Sequence, residues 1–283
     1  GSEMCIETDT VSFKLLFTDA TSAEVPFIAG SLEWTANIYP DTNYQPPRSD
    51  KTVRLLQIDV AVKDPRVAST TGWVFGTFIY DGSAPGKTVW DRMIPVGLIW
   101  GDDPAERSMI NRDGVFVNTK LTATRINSSL VEVVDWDYGP RAYVRHHGLG
   151  GRLNGPVDNP VSSCISCHGR AATFAEALPI NQNSGKPMEF ALFSVQRPSQ
   201  FPPNRFDQFF SLVRGMSHVE VINNERFVTT DYSLQVSGGI RNFYQHKRSS
   251  LEVSKLFSLG LSTNSPQELK AMKPLPKVTR EID

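Results

Sequence analysis

From Thr52 to Val62 the chain runs Thr-Val-Arg-Leu-Leu-Gln-Ile-Asp-Val-Ala-Val. Polar and apolar positions alternate from Leu56 onward, the period-two pattern of a half-buried strand. Lys63-Asp64-Pro65-Arg66 then punctuates it as a turn. Gly72–Tyr80, rich in aromatic and β-branched residues, predicts a second strand, which ends at Asp81-Gly82. Met93–Trp100 is a third apolar run, closed by Gly101-Asp102-Asp103-Pro104; its internal Pro95 suits a sheet edge or a bulge. Leu121–Ile126 and Ser129–Trp136 extend the series. Strands joined by short turns, with no helical period between them, predict an antiparallel sheet, sandwich or barrel over residues 1–160.

The pattern changes after Trp136. Residues 137–163 are rich in Gly, Pro and Asn and read as a loop long enough to have a function of its own. Ala171–Leu178 has helix-forming composition and stops at Pro179. Phe190–Val195 suits a strand. Asn204 stands as a helix cap before apolar residues at 206, 209, 210 and 213, which is helical spacing. Residues 230–244 are read as helical despite Gly238-Gly239, and Ser265-Pro266-Gln267-Glu268 matches a capping box. The fold class expected is therefore mainly β with α additions (α+β): a β-rich domain over 1–160 and a helix-containing part over 161–283. The boundary is soft, since the two parts are expected to share one core.

Composition narrows the function classes. The 283 residues are 40% hydrophobic and 21% charged, and 29 basic residues balance 30 acidic ones, so no overall field draws nucleic acid or an anionic membrane. No run approaches the length of a bilayer-spanning segment. No secretory leader is visible, so export would require one already removed. There are three cysteines, too few for a disulfide framework in a chain of this size. Cys5 is read as a bystander; the other two lie in one pentapeptide.

That pentapeptide, Cys164-Ile165-Ser166-Cys167-His168, carries the chemistry. Cys-x-x-Cys-His is the attachment pattern of haem c. Two thiols three positions apart can each form a thioether to one of two vinyl groups on adjacent pyrroles. The following histidine then sits under the ring centre, where a neutral imidazole binds iron as the proximal ligand. A structural zinc site normally needs four ligands, and no second Cys-x-x-Cys pair or suitably spaced histidine pair exists. A thioredoxin-like dithiol follows a parallel strand, whereas a Pro-rich loop precedes this one. The motif resembles that of c-type cytochromes, which implies one covalently attached haem c and a periplasmic or otherwise exported protein. It occurs once, which excludes a multihaem chain.

Small cytochromes c lead into the first cysteine with a helix, but Pro156, Asp158, Asn159 and Pro160 stand there. The chain is more similar to the β-rich cytochrome P460 and cytochrome c′-beta group. The likeness is carried by Gln57–Pro65, Gly72–Phe78 and the downstream Cys-x-x-Cys-His. It implies a haem seated against an antiparallel sheet, often with an open distal position, in a family some of whose members oxidise hydroxylamine or bind nitric oxide. This chain is longer than that pattern, and no haem-crosslinking lysine is matched.

The second axial ligand decides between two functions. Met216 is the first candidate, with Met188, His146, His147 and His218 as others, and no protein ligand at all as a further possibility. A closed, low-spin iron makes an electron-transfer cytochrome, whose redox partner protein would dock near the 146–160 loop. An open site makes a P460-like haem oxidoreductase or a small-gas sensor. Trp73, Phe75, Phe78 and Trp100 are candidates for the haem wall, although core packing explains strand-spaced aromatics at least as well. Arg141 and Arg145 suit propionates or plain surface solvation equally. Neither a nucleotide loop nor a calcium loop is completed by the glycines at 148–151 or the aspartates at 102, 103 and 113.

Overall fold

A computed structural model describes residues 7–40, 47–106, 117–130, 146–155, 163–169, 171–174, 212, 219–222 and 225–240. Residues 1–237 form one compact unit and 238–283 a second. The first unit is built on an antiparallel sheet of β1 (Val11–Thr18), β2 (Glu33–Ile38), β3 (Ser49–Lys63), β4 (Trp73–Tyr80), β5 (Met93–Ile99) and β6 (Thr124–Ile126). The order is β1-β3-β4-β5-β6, with β2 also on β3. Arg54 pairs with Thr18 of β1 and with Glu33 of β2, so the long β3 carries β1 on one edge and β2 followed by β4 on the other. A second antiparallel sheet, order β7-β9-β8, joins β7 (Ala172–Phe174), β8 (Val219–Ile222) and β9 (Glu225–Thr229).

The described residues are thus mainly antiparallel β; β3, β4 and β5 fall where alternation, β-branched and aromatic composition and an apolar run placed them, and of the expected strand Leu121–Ile126 only Thr124–Ile126 forms. Pro95 also behaves as its chemistry requires. Thr77 pairs with Gly97 and Phe78 with Pro95, so Val96 is an extra residue in β5 and the ladder steps around the proline. Two expectations fail. Ala172–Phe174 is a strand, not the start of a helix: pairing with Phe227–Thr229 overrides the alanine-rich composition. At the expected strand Ser129–Trp136, Ser129 lies in a turn and Leu130 is helical, its side chain buried at 2% exposure in the core. Of the helix read over 230–244, residues 234–240 are helical, whereas 230–233 are not, with a turn at Asp231-Tyr232. The readings at 131–136, 175–178, 190–195, 204–211 and 265–273 lie outside the described residues.

Register places the rows that matter for the site. Ser12, Ala61 and Phe75 stand side by side across β1, β3 and β4; Lys14, Asp59 and Thr77 form the next row on the same face. The other face of β1 carries Val11 and Phe13, exposed at 57% and 67%, so this strand turns its polar side inward. Inward of β4 and β5 lies the core: Trp73, Phe75, Ile79, Val96 and Ile99 pack with Leu130, Leu149, Leu153, Ile165 and Tyr232. That cluster draws residues from both sides of position 160.

The loop before the cysteine motif departs most from its composition. All of residues 146–155 are buried, including Arg152 at 0% and Asn154 at 2%. A buried loop must satisfy its own backbone. Here the Gly148 N–H donates to the Arg152 carbonyl (2.6 Å), Gly151 to Gly148 (3.0 Å) and Asn154 to His146 (3.0 Å). Gly150 and Gly151 supply the left-handed turn at φ +66° and +78°. The Arg152 guanidinium reaches the carbonyl oxygens of Asp102 (2.6 Å) and Asp103 (3.3 Å).

Candidate functional site

Cys164–His168 is one turn of helix, α1. Ser163 starts it: extended at φ −150°, it accepts the Ser166 N–H on its Oγ (3.2 Å) and donates its own N–H to Ser166 Oγ (3.0 Å). This reciprocal cap gives the buried Ser163 N–H its acceptor and supplements the bond from the Ser166 N–H to the Ser163 carbonyl (3.1 Å). The Cys164 N–H donates to the Leu153 carbonyl (3.0 Å), which ties the turn to the buried loop. Ile165, fully buried, pins its other side into the core.

Gly169 follows at φ −59°, an ordinary helical value. Its small size answers a steric demand instead: a Cβ there would stand 2.5 Å from the Ile165 carbonyl oxygen and 2.9 Å from Leu212 Cδ2.

One helical turn puts residues 164, 167 and 168 on neighbouring directions, and all three line a single cleft of about 320 Å³. The sheet supplies the facing wall through Ala61, Phe75 and Thr77, with Trp73 at one end and Ser12 and Lys14 at the edge strand. Cys164 and Cys167 are half-buried thiols. The His168 ring packs against Phe75, centroids 4.5 Å apart at 36°.

His168 Nδ1 lies 2.9 Å from the Tyr232 carbonyl oxygen. A carbonyl only accepts, so this contact assigns the proton to Nδ1 and leaves the Nε2 lone pair available to a metal. Burial pushes the imidazole pKa down; the Tyr232 carbonyl counters this, while across the cleft Lys14 lowers it and Asp59 raises it. The ring is neutral at pH 7, the form that coordinates iron.

The cleft also holds a polar group. Asp59 accepts from Lys14 Nζ (2.7 Å), Gln57 Nε2 (2.7 Å) and Thr77 Oγ1 (3.0 Å). The site therefore unites two thiols, a neutral imidazole, aromatic walls and one hydrogen-bonding ion pair. Two sulfurs and one nitrogen thus stand on a single turn, facing a wall that is apolar at Ala61 and Phe75 and polar at Asp59 and Thr77.

Of the aromatic wall candidates, Trp73 and Phe75 line the cleft and also belong to the core, whereas neither Phe78 nor Trp100 lines it. His146 and His147 are buried outside the cleft, their rings 4.6 Å apart, and neither lines it. Met216, Met188, His218, Arg141, Arg145 and Cys5 lie outside the described residues. Sequence reasoning missed Tyr232, Lys14 and Asp59. Tyr232 sits 64 positions from the histidine it holds, and β1, which carries Lys14, announced itself only by the alternation of Val11, Phe13, Leu15 and Phe17. Among the described residues no group of three or more His, Cys, Asp or Glu side chains is placed to hold a metal ion, and no helix is long and apolar enough to cross a membrane. Comparison of the chain with protein-family models, with curated proteins and with solved structures returned no match.

Proposed function

We propose that the chain is an exported monohaem c-type cytochrome whose haem is bonded to Cys164 and Cys167 and whose iron is bound by His168 Nε2. The observation that carries the reading is the convergence of both thiols and a Nδ1-protonated imidazole on one cleft. Each thiol would add its sulfur and its hydrogen across one vinyl double bond, a step that is balanced without an oxidant. The bound haem supplies one-electron chemistry. The protein's own part is to hold the proximal nitrogen, exclude water along the Phe75 wall and set the charge around the iron.

Electron transfer with a redox partner protein is the function assigned, with Met216 as the second axial ligand. Absorption spectra of the ferrous protein with and without carbon monoxide test it. Sharp low-spin bands unmoved by the gas support electron transfer, and conversion to a high-spin spectrum by Met216→Ala supports the ligand. A high-spin ferrous spectrum that shifts with carbon monoxide overturns both.

The second reading is a haem oxidoreductase or gas sensor with an open distal site. It is favoured by one observation, the Lys14–Asp59–Thr77 group on the cleft wall, since hydrogen-bonding groups there suit a small polar ligand on iron. Lys14→Met is expected to weaken ligand binding on this reading and to leave the spectrum unchanged on the first.

A further inference from the structure

Two consecutive non-glycine residues, Asp231 and Tyr232, have left-handed backbones at φ +50° and +60°. A left-handed backbone is disfavoured for any residue with a Cβ, and a pair persists only where its surroundings over-determine it. Asp231 shows what does so. Its carboxylate, 5% exposed, takes Lys63 Nζ on both oxygens (2.8 and 2.7 Å) and the Trp73 indole N–H on Oδ2 (3.1 Å). Lys63 and Trp73 face each other at the end of the β3–β4 ladder, and the lysine ammonium also stands 5.2 Å from the indole ring centre. On the far side, Thr230 Oγ1 donates to the Ser233 carbonyl (3.0 Å), and the Thr230 N–H donates to the carbonyl of Ala171, three residues beyond His168. The strained pair is thus clamped between the main sheet and the segment that follows the cysteine motif.

The direction in which that clamp aims the chain is what matters. With both residues left-handed, the Tyr232 carbonyl meets His168 Nδ1. Were either to relax to negative φ, that carbonyl would turn away. A buried ion pair contributes little net stability, because desolvation offsets the Coulomb gain; what it supplies is position.

We propose that Asp231 is a positioning residue for the axial histidine, acting through the main chain of Tyr232 to hold the imidazole in its Nδ1-protonated form with Nε2 facing the cleft. The redox consequence rests on the haem reading above; the geometric claim does not. A hydrogen bond from Nδ1–H to a fixed carbonyl makes the ligand nitrogen more basic, which favours ferric iron and lowers the midpoint potential.

The test compares wild type, Asp231→Ala and Asp231→Asn in two states. In the full-length chain without haem, ¹⁵N shifts of the His168 ring report the tautomer. Wild type is expected to be predominantly Nδ1–H and Asp231→Ala to show Nε2–H as a major form. In haem-loaded protein, Asp231→Ala is expected to shift the midpoint potential positive. Asp231→Asn, which keeps an acceptor for Trp73 and tolerates the left-handed backbone, should fall between. A folded Asp231→Ala protein with unchanged tautomer and unchanged potential overturns the proposal, whatever happens to its melting temperature. If that variant yields no soluble protein, Asp231→Asn decides by the same readings. A chain that takes up no haem but shows the tautomer shift refutes the haem reading alone.

Discussion

The imidazole of His168 lies against the ring of Phe75, centroids 4.5 Å apart and planes tilted by 36°. Phe75 is 4% exposed and sits in β4, paired with Ala61 of β3 on the face that walls the cleft. The same ring therefore serves the core and the orientation of the proposed iron ligand. Phe75→Ala is expected to cost about 3–5 kcal/mol of stability, and Phe75→Leu less than half as much because it refills most of the space. Denaturant melts of the two variants check this; equal losses would show that the aromatic contact with His168 has a larger share than volume.

Ser163 gives the cysteine turn its start. Ser163→Ala removes a helix cap: the buried Ser166 N–H keeps the Ser163 carbonyl (3.1 Å) but loses the hydroxyl, a loss of about 1 kcal/mol. The same substitution is expected to lower the fraction of chains carrying covalent haem, since both thiols ride on that turn. Chemical denaturation and the ratio of haem absorbance to protein absorbance measure the two effects separately.

Stability should fall on mild acidification. Burial, followed by the charge of neighbouring His147, pushes the His146 pKa from 6.5 down to about 4, and burial alone lowers that of His147. Between those two values the unfolded chain binds a proton at His146 that the folded chain refuses, so unfolding is favoured as pH falls through 6.5 toward 4 and the native state gains as pH rises. The upper bound for His146 is about 3 kcal/mol, from a shift of that size at about 1.4 kcal/mol per unit. Urea midpoints at pH 7.5 and pH 5 test it: His146→Gln should flatten the difference, and an unaltered slope would contradict the assignment.

How much of this was legible in the chain depends on the range of the interaction involved. The strands β3, β4 and β5 were readable because alternation and turn residues are local. Val96 shows the same: Pro95 alone forecast a break in the ladder. Ala172–Phe174 misled because its strand conformation comes from Phe227–Thr229, more than fifty positions away. The stretch His146–Gly155 looked like solvent loop because Gly, Asn and Arg are polar by composition. Its burial follows from backbone bonds folded back on themselves and from one guanidinium on two distant carbonyls. At the site, the residues on the helical turn were readable from spacing, while the groups that orient them were not. Tyr232, Asp231 and Lys63 come together only through long-range folding, and their side chains are of kinds that usually face water.

Whether Cys164 and Cys167 carry a covalent haem with His168 on its iron is read from intact mass after expression with a cytochrome c maturation system. The expected product is a coloured protein heavier than its polypeptide by one haem, with the increment surviving acid and organic denaturation and vanishing in the Cys164→Ser, Cys167→Ser double variant. A wild-type chain of unmodified mass and no visible absorption under those conditions would contradict covalent attachment.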